Sequence, residues 1–280
     1  MIIDFHTHAF PDKIAERSIA ALKQAAEGVE AHTDGTLEGL RKSMREAGVD
    51  LSVVLPVATK KGQLDTINRT AAQINSQYRD IVSLAAIHPD DDDPEEKLGA
   101  IRAQGFKGIK IHPDYTGTFI DDPRYIRIIT AAARLGLLVV THAGIDPAFD
   151  IVHCPPDRGR AVLDRVMRET GRREPFMIFA HLGGMMMHEE VEKHLAGAPC
   201  YIDISCSFRS LMKHCRSDDE DVVRIIKKHG ADRILFATDC PWNSQSAYVR
   251  HFRELRGLTD EEKELILHAN AERLLSSFPL

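Results

Sequence analysis

The stretch MIIDFHTH, residues 1–8, opens the chain with an apolar run that ends in two histidines one residue apart. Short apolar runs of this kind recur along the chain and alternate with longer amphipathic stretches. The eight runs are MIIDFH (1–6), LSVVLP (51–56), IVSLAAI (81–87), FKGIKIH (106–112), LLVVTH (137–142), FMIFAH (176–181), CYIDIS (200–205) and RILFATD (233–239). Strands that alternate with helices predict a parallel sheet, and eight such strands predict a closed barrel.

The stretches between the runs carry hydrophobic residues at helical spacing, as Leu37, Leu40 and Met44 illustrate. Amphipathic helices are predicted over residues 36–47, 123–135, 159–170, 219–229 and 260–277. No linker rich in proline, glycine or serine divides the chain. We therefore expect a single-domain (β/α)8 TIM-like barrel over residues 1–280.

The composition favours an enzyme that acts on small molecules. Charged residues make up 28% of the chain and hydrophobic residues 43%, which is typical of globular proteins, and no apolar run is long enough to span a membrane. The net charge of −6 has no basic block to oppose it, which argues against nucleic acid as a partner. The first residues lack the basic and apolar segments of a signal peptide, so we expect a cytoplasmic location.

Polar residues stand where the predicted strands end. In a (β/α)8 barrel, the carboxyl ends of the strands carry the active site. Residues two apart in a strand share a face, so His6 and His8 are expected to point the same way, as are Lys110 and His112. The residues at these strand ends are His6, His8, His112, His142, His181 and Asp239. All of them can therefore meet at one mouth of the barrel.

Histidines and a carboxylate at one mouth are typical of a catalytic metal site. Zn²⁺ binds neutral imidazoles and carboxylates and keeps one position open for water. His6, His8, His142 and Asp239 supply such a set. His181 is then expected to be a base that is not a ligand, and Asp239 could both bind the metal and carry a proton.

Four motifs resemble the amidohydrolase superfamily: DFHTH at the start, THAG (141–144), AHLGG (180–184) and ATDCPW (237–242). HLGG with TDCPW more narrowly resembles the branch of aminocarboxymuconate semialdehyde decarboxylase, which also contains hydrolases. The resemblance implies a TIM-like barrel with a divalent metal, most often zinc, held by His6, His8, His142 and Asp239. It also implies that His181 activates or orients the metal-bound water.

Lys110 leaves the number of metal ions open. Dinuclear members of the superfamily carry a carboxylated lysine on the fourth strand that bridges two ions, and Lys110 stands where that bridge could be. Lys110 could also be an unmodified cation for an anionic substrate, or a residue that is hydrogen-bonded within the barrel. One ion is expected, and two remain an alternative.

The predicted function is hydrolysis of a small, carboxylate-bearing substrate by metal-activated water. The alternatives are a decarboxylase, an unrelated metal-dependent phosphoesterase fold that also begins with H-x-H, and a barrel that binds metal or ligand without turnover. His112 and Arg209 are candidate substrate contacts. Because His112 precedes a proline, its role could instead be limited to shaping the turn. Arg209 could instead be an ordinary surface arginine. A homodimer is a further expectation.

Overall fold

In the computed structural model, residues 1–26, 29–211 and 217–277 are described, and their parallel strands form the barrel that the sequence predicts. The third strand is split at Leu84 into two short segments. The strands are β1 (Ile3–Thr7), β2 (Leu51–Val54), β3 (Ile81–Ser83 and Ala85–Ala86), β4 (Gly108–Ile111), β5 (Leu138–Thr141), β6 (Met177–Phe179), β7 (Tyr201–Asp203) and β8 (Ile234–Leu235). Each strand pairs in parallel with the next one along the chain.

Hydrogen bonds between the first and last strand regions close the barrel. The Phe5 amide donates to the Phe236 carbonyl at 2.9 Å, and the Asp239 amide donates to the His6 carbonyl at 2.8 Å. A third bond joins His8 N to Cys240 O at 2.7 Å. Closure therefore brings the ends of β1 and β8, with their polar side chains, next to each other.

Alternation along the strands sorts the core into two layers. Leu138 and Val140 pack in an inner cluster, whereas Val139, Ile109 and Ile111 pack against the helices. This matches the predicted faces of β4 and β5. The residues of both layers are almost completely buried. The inner layer fills the barrel beneath the carboxyl ends of the strands.

The helices surround the barrel, and they include the predicted helices together with several that were not predicted. Residues 36–47, 123–135, 159–170 and 219–229 are observed as Leu37–Ala47, Pro123–Arg134, Pro156–Thr170 and Asp219–His229. The predicted helix 260–277 consists of Asp260–Glu264, a π-helical turn at Leu265–Ala269, and Asn270–Ser276. Further helices are α1 (Asp12–Ala25), α3 (Leu64–Gln77), Pro94–Ala103, Pro113–Thr116, His188–His194 and Gln245–Glu254, with α2 denoting Leu37–Ala47. Within the described ranges, the helices are too short or too polar to cross a membrane.

Candidate active site

A local irregularity in β1 turns the first histidine inward. Ile3 and Phe5 lie in the inner layer, so strict alternation would send His6 to the outer face. The register of β1 against β2 shifts between Asp4 and Thr7, however, as in a β-bulge. His6 therefore points into the barrel together with Phe5, and His8 follows on the same face.

The Nδ1 atoms of both histidines are already engaged. His8 Nδ1 lies 2.9 Å from the Leu55 carbonyl, which can only accept, so this nitrogen carries the proton. His6 Nδ1 lies 2.8 Å from Asp203 Oδ2 and donates to it. Burial, helped by the charge of Lys110, lowers the pKa of His6 to about 3, so the ring is neutral. In both rings, Nε2 is therefore the nitrogen that is left to face the cavity.

The two Nε2 atoms converge on Asp239. Asp239 Oδ1 lies 3.0 Å from His8 Nε2 and 3.5 Å from His6 Nε2. Burial would raise the pKa of Asp239, but the neighbouring histidines outweigh burial and hold this pKa well below its ordinary range. The carboxylate oxygen and the two imidazole nitrogens face one another at 3.0 and 3.5 Å, close enough to share one cation. This donor set suits a divalent metal ion.

His181 lies beside this group in a strained backbone. Its φ of 58° is in the left-handed region, which is uncommon outside glycine. His181 Nδ1 lies 2.8 Å from Ser205 Oγ, which in turn donates to Asp203 Oδ1 at 2.5 Å. Burial lowers the pKa of His181, so the ring is neutral and its Nε2 is left for the cavity. His181 is thus placed to accept or deliver a proton.

Asp203 connects the two parts of this arrangement. Its Oδ1 accepts from the backbone amides of His181 and Ser205, both at 3.0 Å, while its Oδ2 holds His6. The sequence analysis did not single out Asp203. The available signal was that Asp203 is the one acidic residue in the apolar run CYIDIS. It also lies on the same face of the strand as Tyr201, which points inward.

Lys110 is buried within the barrel next to the metal-binding candidates. Its Nζ lies 3.4 Å from His6 Nε2, and burial lowers its pKa to about 8. Lys110 therefore lies where a bridge or a substrate contact was expected, and the geometry is compatible with both roles.

His142 and His112 form a neighbouring cluster. Their rings stack at a centroid distance of 4.3 Å, and His112 Nε2 lies 3.6 Å from Asp146 Oδ2. His142 Nε2 lies 3.5 Å from Asp114 Oδ2. Burial lowers the pKa of both histidines well below the ordinary value. Among the described residues, the donor atoms of His6, His8 and Asp239 group together, whereas His142 groups with His112 and Asp146.

The ring of His142 nevertheless borders the first group through His181. The His142 and His181 centroids are 4.8 Å apart, and those of His181 and His6 are 5.0 Å apart. Three of the four predicted ligands thus converge. The fourth, His142, is separated from His6 by the ring of His181. Its role as a ligand stays a prediction.

One cavity of about 480 Å³ is lined by most of these side chains, namely His6, His8, Lys110, His112, His142, Asp146, His181 and Asp239. Its polar end contains the histidines, Lys110, Asp146 and Asp239, with Tyr115, Met185, Cys206 and Trp242 at its margin. Cys206 Sγ donates to Asp239 Oδ2 at 3.1 Å and thereby orients the carboxylate. His112 lines this cavity, and its role as a substrate contact stays a prediction.

Arg209 lies elsewhere. It is exposed and borders a shallow surface depression with Asp218, Asp219 and His251. The described structure therefore does not bring Arg209 into the cavity, because the chain after β7 carries it outward. Residues 212–216, which follow Arg209 in the same connection, lie outside the described residues.

A protein-family model described as Amidohydrolase matches residues 3–276. No curated protein matches the chain at a significant level. Among solved structures, an uncharacterized TIM-barrel protein from Bordetella bronchiseptica is similar with a TM-score of 0.73 at 19% identity, covering 98% of each chain.

Two further similar structures have named activities. One is 5-carboxyvanillate decarboxylase from Sphingomonas paucimobilis, with a TM-score of 0.68, 14% identity and 98% of each chain covered. The other is a dihydroxybenzoic acid decarboxylase from Polaromonas sp. with bound manganese and the inhibitor 2-nitroresorcinol, with a TM-score of 0.67 at 14% identity. This similarity covers 98% of the present chain and 96% of the other, and at such identities it establishes the shared fold alone.

Proposed function

The chain belongs to the amidohydrolase family, and on that premise we propose that it is a metal-dependent decarboxylase of a small carboxylic acid. The observation that carries the metal centre is the convergence of His6 Nε2 and His8 Nε2 on Asp239 Oδ1, while both Nδ1 atoms are engaged elsewhere. These three residues would hold a divalent ion, with His142 as the predicted fourth ligand.

We rank decarboxylation above hydrolysis as the proposed reaction, because two of the similar structures are named decarboxylases, one of them with bound manganese. This reverses the order expected from the sequence and leaves Zn²⁺ and Mn²⁺ both as candidates. When bound, a divalent ion supplies positive charge that polarises a carboxylate or hydroxyl group of the substrate. Lys110, buried beside His6, adds a second positive charge at the same end of the cavity.

His181 is the residue we propose to move the proton. Loss of carbon dioxide breaks a carbon–carbon bond and leaves its electron pair on the substrate carbon, which must then gain a proton. Ser205 and Asp203 keep the proton of the neutral ring at Nδ1, so His181 would first accept a proton at Nε2 from the bound substrate acid or from water and then deliver it to that carbon. A general acid or base in such a position contributes about 10² to 10⁴ in rate.

Hydrolysis is the second candidate, and Lys110 is the observation that favours it. If Lys110 were carboxylated, its position next to His6 Nε2 would suit a bridge between two ions. Two ions would activate water for attack on an ester, amide or lactone.

The test measures metal content and reaction type together. Enzyme loaded with Zn²⁺ or Mn²⁺ is incubated with carboxyl-labelled hydroxybenzoic acids and, in parallel, with esters, amides and lactones. We expect metal-dependent release of labelled carbon dioxide, reduced about 10² to 10⁴-fold in His181→Asn, which should keep its metal. His251→Asn, outside the cavity, is the matched control. Acid products without carbon dioxide would assign hydrolysis, and bound metal without turnover of either panel would contradict an enzymatic role.

A further inference from the structure

The cavity has a second end that the chemistry above does not use. From the polar end it continues as a groove between α1 and α3. α1 contributes Ile14, Ala21 and Leu22 to its lining, and α3 contributes Ile67 and Ile74. The groove is therefore part of the active-site cavity and opens directly onto His6, His8 and Asp239.

The groove wall is uncharged in the part that the structure describes, which leaves out residues 27 and 28. Every lining residue from 14 to 29 and from 57 to 74 is apolar or neutral polar, whereas the charged lining residues, Lys110, Asp146 and Asp239, lie at the barrel end. Both helices do carry charges, such as Arg17 and Arg69, but these side chains do not line the cavity. The sequence thus keeps charge away from this wall.

The apolar side chains of the wall are only partly covered by the protein. Ile14, Leu22, Ile67 and Ile74 are half-buried, and α1 has a single fully buried residue, Ala15. Their remaining surface faces the cavity, where a hydrocarbon ligand would remove it from water. The lining face of α1 from Ile14 to Leu22 spans about 12 Å along the helix.

We infer that this groove binds a hydrocarbon arm of the substrate, so that the substrate is amphipathic, with its polar head at the barrel end. The identity of the head group rests on the proposed function, but the binding of the arm does not. Each methylene that enters an apolar site contributes about 0.8 kcal/mol, which corresponds to roughly a fourfold gain in affinity.

Two ligand series separate the head from the arm. Binding to the metal-loaded enzyme is measured by calorimetry for straight-chain alkyl hydroxamates from acetohydroxamate upward, and for straight-chain 1-alkanols, which lack the metal-binding head. We expect affinity to rise roughly three- to fourfold per methylene in both series until the groove is filled. Failure of acetohydroxamate to bind, while the alkanols still show the increment, would contradict the metal centre and leave the groove supported. A flat chain-length dependence in both series would overturn the inference.

A matched pair of variants locates the arm. Ala21→Asp places a charge on the groove wall, whereas Ala20→Asp places the same charge on the adjacent residue, which does not line the cavity. We expect Ala21→Asp to abolish the chain-length increment and to leave acetohydroxamate binding unchanged, and Ala20→Asp to behave as the wild type. Thr70→Asp tests the opposite wall in the same way. Equal losses in Ala20→Asp and Ala21→Asp would also overturn the inference.

Discussion

The two sides of the barrel mouth differ in how their polar side chains are held in place. On the side of β1, β7 and β8, Asp203 and the Leu55 carbonyl engage His6 and His8 through Nδ1. On the side of β4 and β5, His112 Nδ1, His142 Nε2 and Asp114 Oδ2 are buried without a hydrogen-bond partner among the described residues, and on the first side the same holds for Asp239 Oδ1. The rings of His6 and His8 are therefore oriented by hydrogen bonds within the protein, whereas the rings of His112 and His142 are stacked on each other.

This difference has an energetic meaning. A buried polar atom without a hydrogen bond costs about 1 to 3 kcal/mol. Such a cost is tolerated where an ion or a substrate supplies the missing contact, and it is often found at functional sites. Asp239 Oδ1 lacks a hydrogen bond and faces the held rings of His6 and His8, so we expect the first side to dominate metal affinity and the second side to respond more to substrate.

The largest expected effect comes from Asp239→Ala. Removing the carboxylate that both Nε2 atoms face should lower metal affinity by more than about a hundredfold, because loss of a direct ligand exceeds loss of a supporting contact. Elemental analysis after dialysis measures the metal per chain. Asp146→Ala, on the other side, is the control and should keep its metal. The reverse pattern would move the metal site to the His112, His142 and Asp146 cluster.

His142→Asn and His112→Asn separate the two stacked rings. If His142 is the fourth ligand, His142→Asn should lower metal affinity at least tenfold, while His112→Asn should keep the metal and raise KM. Metal titration and steady-state kinetics provide the two readouts. Equal metal affinity in both variants would remove His142 from the ligand set.

Asp203→Asn tests preorganisation directly. The amide can no longer hold His6, His181 and Ser205 as an anion does, so metal affinity should fall about 10- to 100-fold. Asp114→Asn, which alters the contact to His142 at 3.5 Å, should have a smaller effect. Competition with a metal-binding dye measures both variants. A larger effect in Asp114→Asn would contradict the contrast between the two sides.

His229 gives the smallest expected effect and isolates burial from metal chemistry. Its Nε2 donates to the Cys200 carbonyl at 2.9 Å, and its Nδ1 accepts from Gly197 N at 3.2 Å. Burial lowers its pKa from 6.5 to about 4. The unfolded chain therefore binds the proton first as pH falls, and the free energy of unfolding should decrease from pH 6.5 towards pH 4, by at most about 3 kcal/mol.

Urea unfolding at several pH values checks this slope. His229→Gln should show a flatter dependence between pH 6.5 and pH 4, even if the variant is less stable throughout. His268→Gln is a suitable control, because neighbouring Glu272 and Glu264 raise the pKa of that half-buried histidine instead of lowering it. An unchanged slope in His229→Gln would contradict the buried, neutral state.

Several features of the site were beyond sequence reasoning for specific physical reasons. The sequence predicts that His6 and His181 meet at one mouth of the barrel, but it does not predict the register shift in β1 or the left-handed backbone after β6 that direct them there. Both are departures from regular alternation, which the sequence pattern alone cannot reveal. Arg209 looked suitable by residue type, but the path of its loop decides where it lies.

The sequence by itself determined the eight strands, the barrel and the residues at the strand ends, because hydrophobic periodicity is a local property that burial imposes on each element. It also determined the family, since four short motifs carry the resemblance. Only the tertiary structure decided that Asp203 from β7 supports His6 from β1, and that α1 and α3 wall an apolar groove beside the metal-binding residues. These contacts join residues far apart in the chain, and their geometry depends on how the barrel closes and how its loops pack.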